Sequence, residues 1–147
     1  MKKLISIKVV FLVIACIFTF NSQSSAQSSK IAELKNFEKP DEVREFPLGK
    51  VELIKISESM VGKATFMPGW KWSTSVQPIA KTKSCEAPHF QYHISGVLRV
   101  KMDDGTEYDC KAGDISYLPS GHDAWVVGDE PVVTIDFQGM LDYAKSK

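Results

Sequence analysis

Residues 84–131 read SCEAPHFQYHISGVLRVKMDDGTEYDCKAGDISYLPSGHDAWVVGDEP. Turn signals cut this stretch into short pieces: Gly96, Asp103-Asp104-Gly105, Gly113-Asp114, Pro119-Ser120-Gly121 and Gly128 to Pro131. Between them lie residues 89–95, 97–102, 106–110, 114–118 and 123–127, rich in β-branched and aromatic side chains. Strands spaced about 8–12 residues apart, with no helical pattern between them, indicate a sandwich or barrel and argue against βαβ units. Asp-Gly between residues 97–102 and 106–110 is a hairpin signal. Cys85, His89, Gln91, His93 and His122 all fall inside the stretch, and it holds all three histidines of the chain.

Reading outward, residues 51–56, 61–67 and 132–137 extend the strand pattern. The expectation is one all-β barrel domain over residues 43–147. Before it, residues 27–42 form a leader. Within it Ile31, Leu34 and Phe37 recur every third residue between Ser29 and Pro40, which predicts a short N-terminal helix over residues 30–39. Tyr92, Ile94, Leu98, Val100, Val126 and Ile135 are the expected buried side chains.

Residues 1–26 read as a signal peptide. Lys2, Lys3 and Lys8 precede an apolar run over residues 9–20, and Ser24-Ser25-Ala26 offers a small-residue cleavage site. Export to the periplasm or the extracellular space follows. Cys16, after Val13-Ile14-Ala15, leaves a lipoprotein open as the alternative. Cleavage after Ala26 removes three lysines and no acid, leaving 15 basic and 18 acidic residues, a formal charge of −3. No basic stripe is present, which argues against nucleic acid as a partner. Cys85 and Cys110 remain, either as a disulfide suited to an oxidising compartment or with Cys85 as a metal ligand.

Side chains alternate faces along a strand, so His89, Gln91 and His93 share one face and Phe90, Tyr92 and Ile94 the other. A His-Gln-His face is costly in a dry core and belongs in a cavity. At a rise of about 3.3 Å per residue, His89 and His93 stand about 13 Å apart, too far to share an ion. His93 is therefore expected deeper, as a contact to a small-molecule ligand or a donor behind the metal ligands, and Gln91 as a second ligand contact. Pro88 bends the chain between Cys85 and His89. Cys85, His89 and His122 are the expected ligands of a divalent ion, zinc or iron first, and thiolate with imidazole suits copper as well. Such a site needs deprotonated ligands, so affinity is expected to fall as pH drops through about 6.5. Trp70 and Trp72 are expected either to fill the core or to line the cavity mouth and stack on the ligand.

From Gly69 to Phe137 the chain resembles the cupin superfamily. Gly113, Pro119 and Gly121 stand at the spacing of the second cupin motif, and Gly96 matches the glycine closing the first. The resemblance implies a double-stranded β-helix barrel, jelly-roll-like, around a metal. It places His89 at the cupin glutamate ligand, Cys85 at the second histidine and Lys83 at the first. The motif-two histidine position holds Ala124, with His122 two residues earlier on the same face. For function the resemblance implies a metal-dependent oxygenase, isomerase or lyase, or a non-catalytic binding or sensing barrel. A homodimer is compatible with it.

Overall fold

The computed structural model describes residues 32–145. Nine strands and two four-residue helices follow one another. They are β1 Glu42–Phe46, β2 Gly49–Ile56, β3 Ser59–Phe66, α1 Trp72–Ser75, α2 Gln77–Ala80, β4 His89–Ser95, β5 Val97–Met102, β6 Glu107–Lys111, β7 Ile115–Leu118, β8 His122–Val127 and β9 Val132–Asp136. A six-stranded sheet has the order β1-β2-β3-β9-β4-β7, and a three-stranded sheet the order β6-β5-β8. Every pairing is antiparallel. The inner faces of both sheets supply one core, which includes Val51, Leu53, Ala64, Phe66, Leu98, Val100, Val126 and Val132.

Gly96 makes the corner where the chain leaves the large sheet for the small one. Its φ is +68°, and a side-chain Cβ there would lie 2.8 Å from the Pro131 carbonyl oxygen. Only glycine tolerates both the left-handed backbone and the close approach. A register shift between His93 and Ser95 bends β4 just before it. The β5–β6 hairpin closes as the Asp-Gly signal requires. Gly105 has φ +91°, and the Asp104 carboxylate accepts the Thr106 amide at 2.8 Å.

Three expectations need correction. Residues 32–39 form no helix: Leu34 is 98% exposed, so no apolar face exists to stabilise so short a segment. The segment is held by polar contacts instead, Lys35 to Asp41 at 2.9 Å and Glu33 to the Ser57 amide at 3.0 Å. The helices lie at residues 72–80, where the sequence showed no helical period. Tyr92 and Ile94 are 44% and 47% exposed and Ile135 is half-buried, whereas Leu98, Val100 and Val126 are buried. The reason is that each barrel wall is one sheet thick. The cavity and the apolar core share its inside, so the face opposite His89 looks outward. Cys85 and Cys110 are both free thiols, which removes the disulfide reading. The signal-peptide and Cys16 readings, and the start of the leader, fall outside the described residues.

Candidate metal centre

Cys85, His89 and His122 converge although they come from separate segments. Cys85 precedes β4 and bridges to the start of β8: its amide donates to the His122 carbonyl at 2.8 Å, and its carbonyl accepts from the Gly121 amide at 2.7 Å. His89 opens β4 after the Pro88 bend, and His122 opens β8. All three are 3% exposed. One ligand atom from each lies within 4.8 Å of the other two. The Cys85 sulfur is 3.5 Å from His89 Nε2, and the two imidazoles meet edge to face at 5.4 Å between centroids.

Both rings are fixed from behind. His89 Nδ1 contacts Asp136 Oδ2 at 2.5 Å, and His122 Nδ1–H donates to the Pro119 carbonyl at 2.8 Å. With Nδ1 engaged in each ring, Nε2 is the nitrogen left to face an ion. Imidazole ligands of metals are commonly oriented this way. Asp136, wholly buried, also accepts Gln91 Nε2 at 3.0 Å and the Gln138 amide at 2.8 Å. It ties His89, Gln91 and the chain leaving β9 into one unit.

The charges follow from these contacts. Burial pushes the Cys85 thiol up, but hydrogen bonds from His122 and His89 outweigh it and bring it down to about 6. Burial pulls His89 down, but Asp136 and the Cys85 thiolate outweigh it and raise it to about 9. Without a metal, this end of the barrel holds a thiolate–imidazolium pair. Burial pushes the Cys110 thiol up.

These residues surround a cavity of about 20 Å³, room for about one water-sized group. Trp70, Trp72, Gln91, Met140 and Tyr143 also line it. Trp70 stacks on Phe66 at 3.8 Å, and both tryptophans are buried core residues, the first of the two alternatives the sequence left open. Their indole N–H groups and Gln91 Oε1 have no hydrogen-bond partner among the described residues. His93 does not line this cavity. It lies wholly buried farther along β4, with Nε2 2.9 Å from Ser116 Oγ, and burial holds its pKa below the ordinary histidine value. A second cavity of about 370 Å³ lies outside and shares Trp72, Cys85 and Tyr143 with the first.

Residues 139–145 form a strap over the site. Met140 and Tyr143 are buried, and the Tyr143 ring stands edge-on to His89 at 5.5 Å. Gly139 brings the strap onto β4: at φ +94°, a Cβ there would lie 1.9 Å from the Pro88 carbonyl oxygen. Arg44 on β1 clasps it, donating to the carbonyls of Met140, Leu141 and Tyr143. Sequence reasoning missed Arg44, Met140 and Tyr143, since no motif marks them. Asp136 stands as a polar residue inside the apolar run over residues 132–137, and that oddity is the signal the sequence carries for it.

Among solved structures, the chain is similar to an RmlC-like cupin from Shewanella frigidimarina. The two align over 76% of this chain and 95% of that one, at 17% identity and a TM-score of 0.53. KdgF from Halomonas sp. aligns over 76% of this chain and 96% of its own, at 16% identity and a TM-score of 0.53. An oxalate decarboxylase structure from Bacillus subtilis aligns over 75% of this chain and 33% of its own, at 27% identity and a TM-score of 0.49. No family model matches the chain, and no curated protein matches it. The chain has the cupin fold. Within that fold, Lys83 is exposed and its carbonyl accepts Gln77 Nε2 at 2.9 Å, so the first cupin histidine position contributes nothing to this centre. Ala124 lines the cavity with a methyl group that cannot ligate, and His122 lines it from the same face of β8.

Proposed function

We propose that this protein is an exported cupin-fold barrel that holds one divalent ion, zinc or iron, on Cys85 Sγ, His89 Nε2 and His122 Nε2. The observation that carries the reading is the convergence of three buried donor atoms within 4.8 Å, with both Nδ1 atoms engaged elsewhere. One sulfur and two nitrogen ligands leave a coordination position open, as in sites that bind water or substrate. The ion, when bound, would act as a Lewis acid on an oxygen at that position. Gln91 Oε1 and the indole N–H groups of Trp70 and Trp72 are the unpaired polar atoms on the cavity wall, and buried groups of this kind call for a partner. A small polar ligand would use them. Its bulk would occupy the outer cavity against Trp72 and Cys85. His93, shut off behind Gln91, would take no part.

An oxygenase, isomerase or lyase would use this arrangement, but so would a barrel that binds or senses its ligand without turnover. The inner volume favours the second use, because about 20 Å³ admits no organic substrate unless the strap moves. The test is calorimetric titration of metal-stripped protein with zinc and with ferrous iron under reducing conditions. One ion per chain should bind tightly, and His89→Ala and His122→Ala should each abolish tight binding, while His93→Ala should not. Equal binding by all four proteins would sink the proposal. Sequencing of the exported protein should begin at Gln27; a lipidated Cys16 terminus would establish the other processing route.

A further inference from the structure

His93 belongs with a different cavity from the metal centre. It is wholly buried, and its Nε2 stands 2.9 Å from Ser116 Oγ. Register explains the contact: Gln91 lies directly opposite Ser116 in the β4–β7 pair. His93, two residues along on the same inner face, is a diagonal neighbour within reach of a long side chain. Ser116 is half-buried and lines a cavity of about 420 Å³. Ligand pockets commonly hold about 300–1,000 Å³, so a small organic molecule fits. The cavity is lined by β6 and β7, the edge strands of the two sheets. Neither Gln91 nor the three metal-centre residues line it.

We infer that Ser116 is an acyl-accepting nucleophile and His93 its general base, acting on small neutral or cationic esters. Their separation lies within the about 2.6–3.2 Å that a base needs to take a hydroxyl proton. Burial holds His93 below the ordinary histidine value, with Asp114 and Asp136 opposing it, so the ring is free to accept that proton. Ser116 Oγ would bond to the ester carbonyl carbon as its proton passes to His93 Nε2. The bond to the alkoxy oxygen then breaks, and His93 gives the proton to the leaving alcohol. Water adds to the acyl-serine by the same route; the carboxylic acid leaves and Ser116 recovers its proton. On the side away from β4, the β7 amides have no strand partner and can donate to the carbonyl oxygen. Ile115, Leu118 and the rings of Tyr108 and Tyr117 supply apolar wall. Asp104, Asp109 and Asp114 line the cavity too, and no lysine or arginine among the described residues does. Asp109 is paired with Arg99 at 2.6 Å, which leaves Asp104 and Asp114 to repel an anionic acyl group. His93 Nδ1 has no partner among the described residues. Without a carboxylate behind the ring, turnover should be slow, and the covalent adduct is the sensitive readout.

Mass spectrometry of the full chain treated with a neutral alkyl fluorophosphonate tests this, with and without chelator. The probe loses fluoride as its phosphorus bonds to Oγ. One adduct per chain should form on Ser116 in both cases. Ser116→Ala should abolish it, and His93→Gln should slow it about a hundredfold or more. If His93→Gln fails to fold, urea-unfolded wild type serves: it lacks the contact and should not label. p-Nitrophenyl acetate should acylate Ser116 faster than p-nitrophenyl hemisuccinate, whose acyl chain carries a carboxylate. No adduct on the wild type overturns the inference, as does an adduct that persists in Ser116→Ala. An unchanged rate in folded His93→Gln, or in the unfolded wild type, overturns it equally. Equal acylation by the two esters overturns the substrate class.

Discussion

Arg44→Met should unlatch the strap and leave the barrel folded. The guanidinium donates to the carbonyls of Met140, Leu141 and Tyr143 at 3.0, 2.9 and 2.6 Å. Hydrogen bonds to a charged group contribute about 1.5–3 kcal/mol each, so the clasp amounts to roughly 4–9 kcal/mol. Methionine supplies none of them. Letting the strap go forfeits the burial of Met140 and Tyr143, about 1.5–3 kcal/mol each. It also returns backbone freedom to residues 139–145, at about 1–2 kcal/mol per residue. Release is the cheaper course. Glu42, the other partner of Arg44, is 45% exposed and stays solvated, so the variant buries no unpaired charge. The assay is alkylation of Cys85 in metal-free protein, with Cys110 as internal control. Cys85 is 3% exposed and lines the same cavity as Tyr143 of the strap, so its labelling rate reports opening of the strap. Losing even about 4 kcal/mol should raise that rate about a thousandfold. Cys110 should label at its former rate. If Cys85 labelling changes less than about threefold, the clasp reasoning is wrong. If both thiols accelerate together, Arg44 holds up the whole barrel and not the strap.

Further outcomes follow from the site and the core. Asp136→Asn removes the carboxylate behind His89 and should weaken metal binding about 10–100-fold, measured by competition with a chromogenic chelator. An unchanged affinity would mean that Asp136 serves only the fold. In the metal-free protein His89 keeps its proton up to about pH 9, while Cys85 loses its own above about 6. Between those limits the ion must displace a proton from His89, so affinity should climb about tenfold per pH unit through the window. Levelling off above about 6.5, the ordinary histidine value, would show that His89 is not held protonated. Leu98→Ala, at a 3% exposed core position, should cost about 2–5 kcal/mol in urea unfolding, and a cost near zero would contradict its place in the core.

The barrel was legible because its turns are written in residues with restricted backbones. Gly96, Gly105, Gly113 and Gly121 all have positive φ, and the strands between them fall within one or two residues of the expected bounds. The ligand face was legible because His89, Gln91 and His93 alternate with apolar residues. What that alternation could not tell was which side of the apolar set met water. Tyr92 and Ile94 read as core, yet the polar histidine face is the inner one. Arg44 shows the same inversion on β1, where Val43 is 48% exposed and the arginine is 9% exposed. Its partners are carbonyls some hundred positions along the chain, and backbone carbonyls leave no mark in a sequence. The expected helix is absent over residues 32–39 for a related reason: a period of three needs a surface to pack on, and none meets Leu34.

X-ray absorption spectroscopy of the metal-loaded protein tests the central claim most directly. Ligation by Cys85, His89 and His122 predicts a sulfur scatterer at about 2.3 Å and nitrogen scatterers at about 2.0–2.1 Å for zinc. Cys85→Ser should remove the sulfur shell. A loaded wild-type protein with only nitrogen and oxygen around the ion, or the same spectrum from the Cys85→Ser variant, would contradict the account.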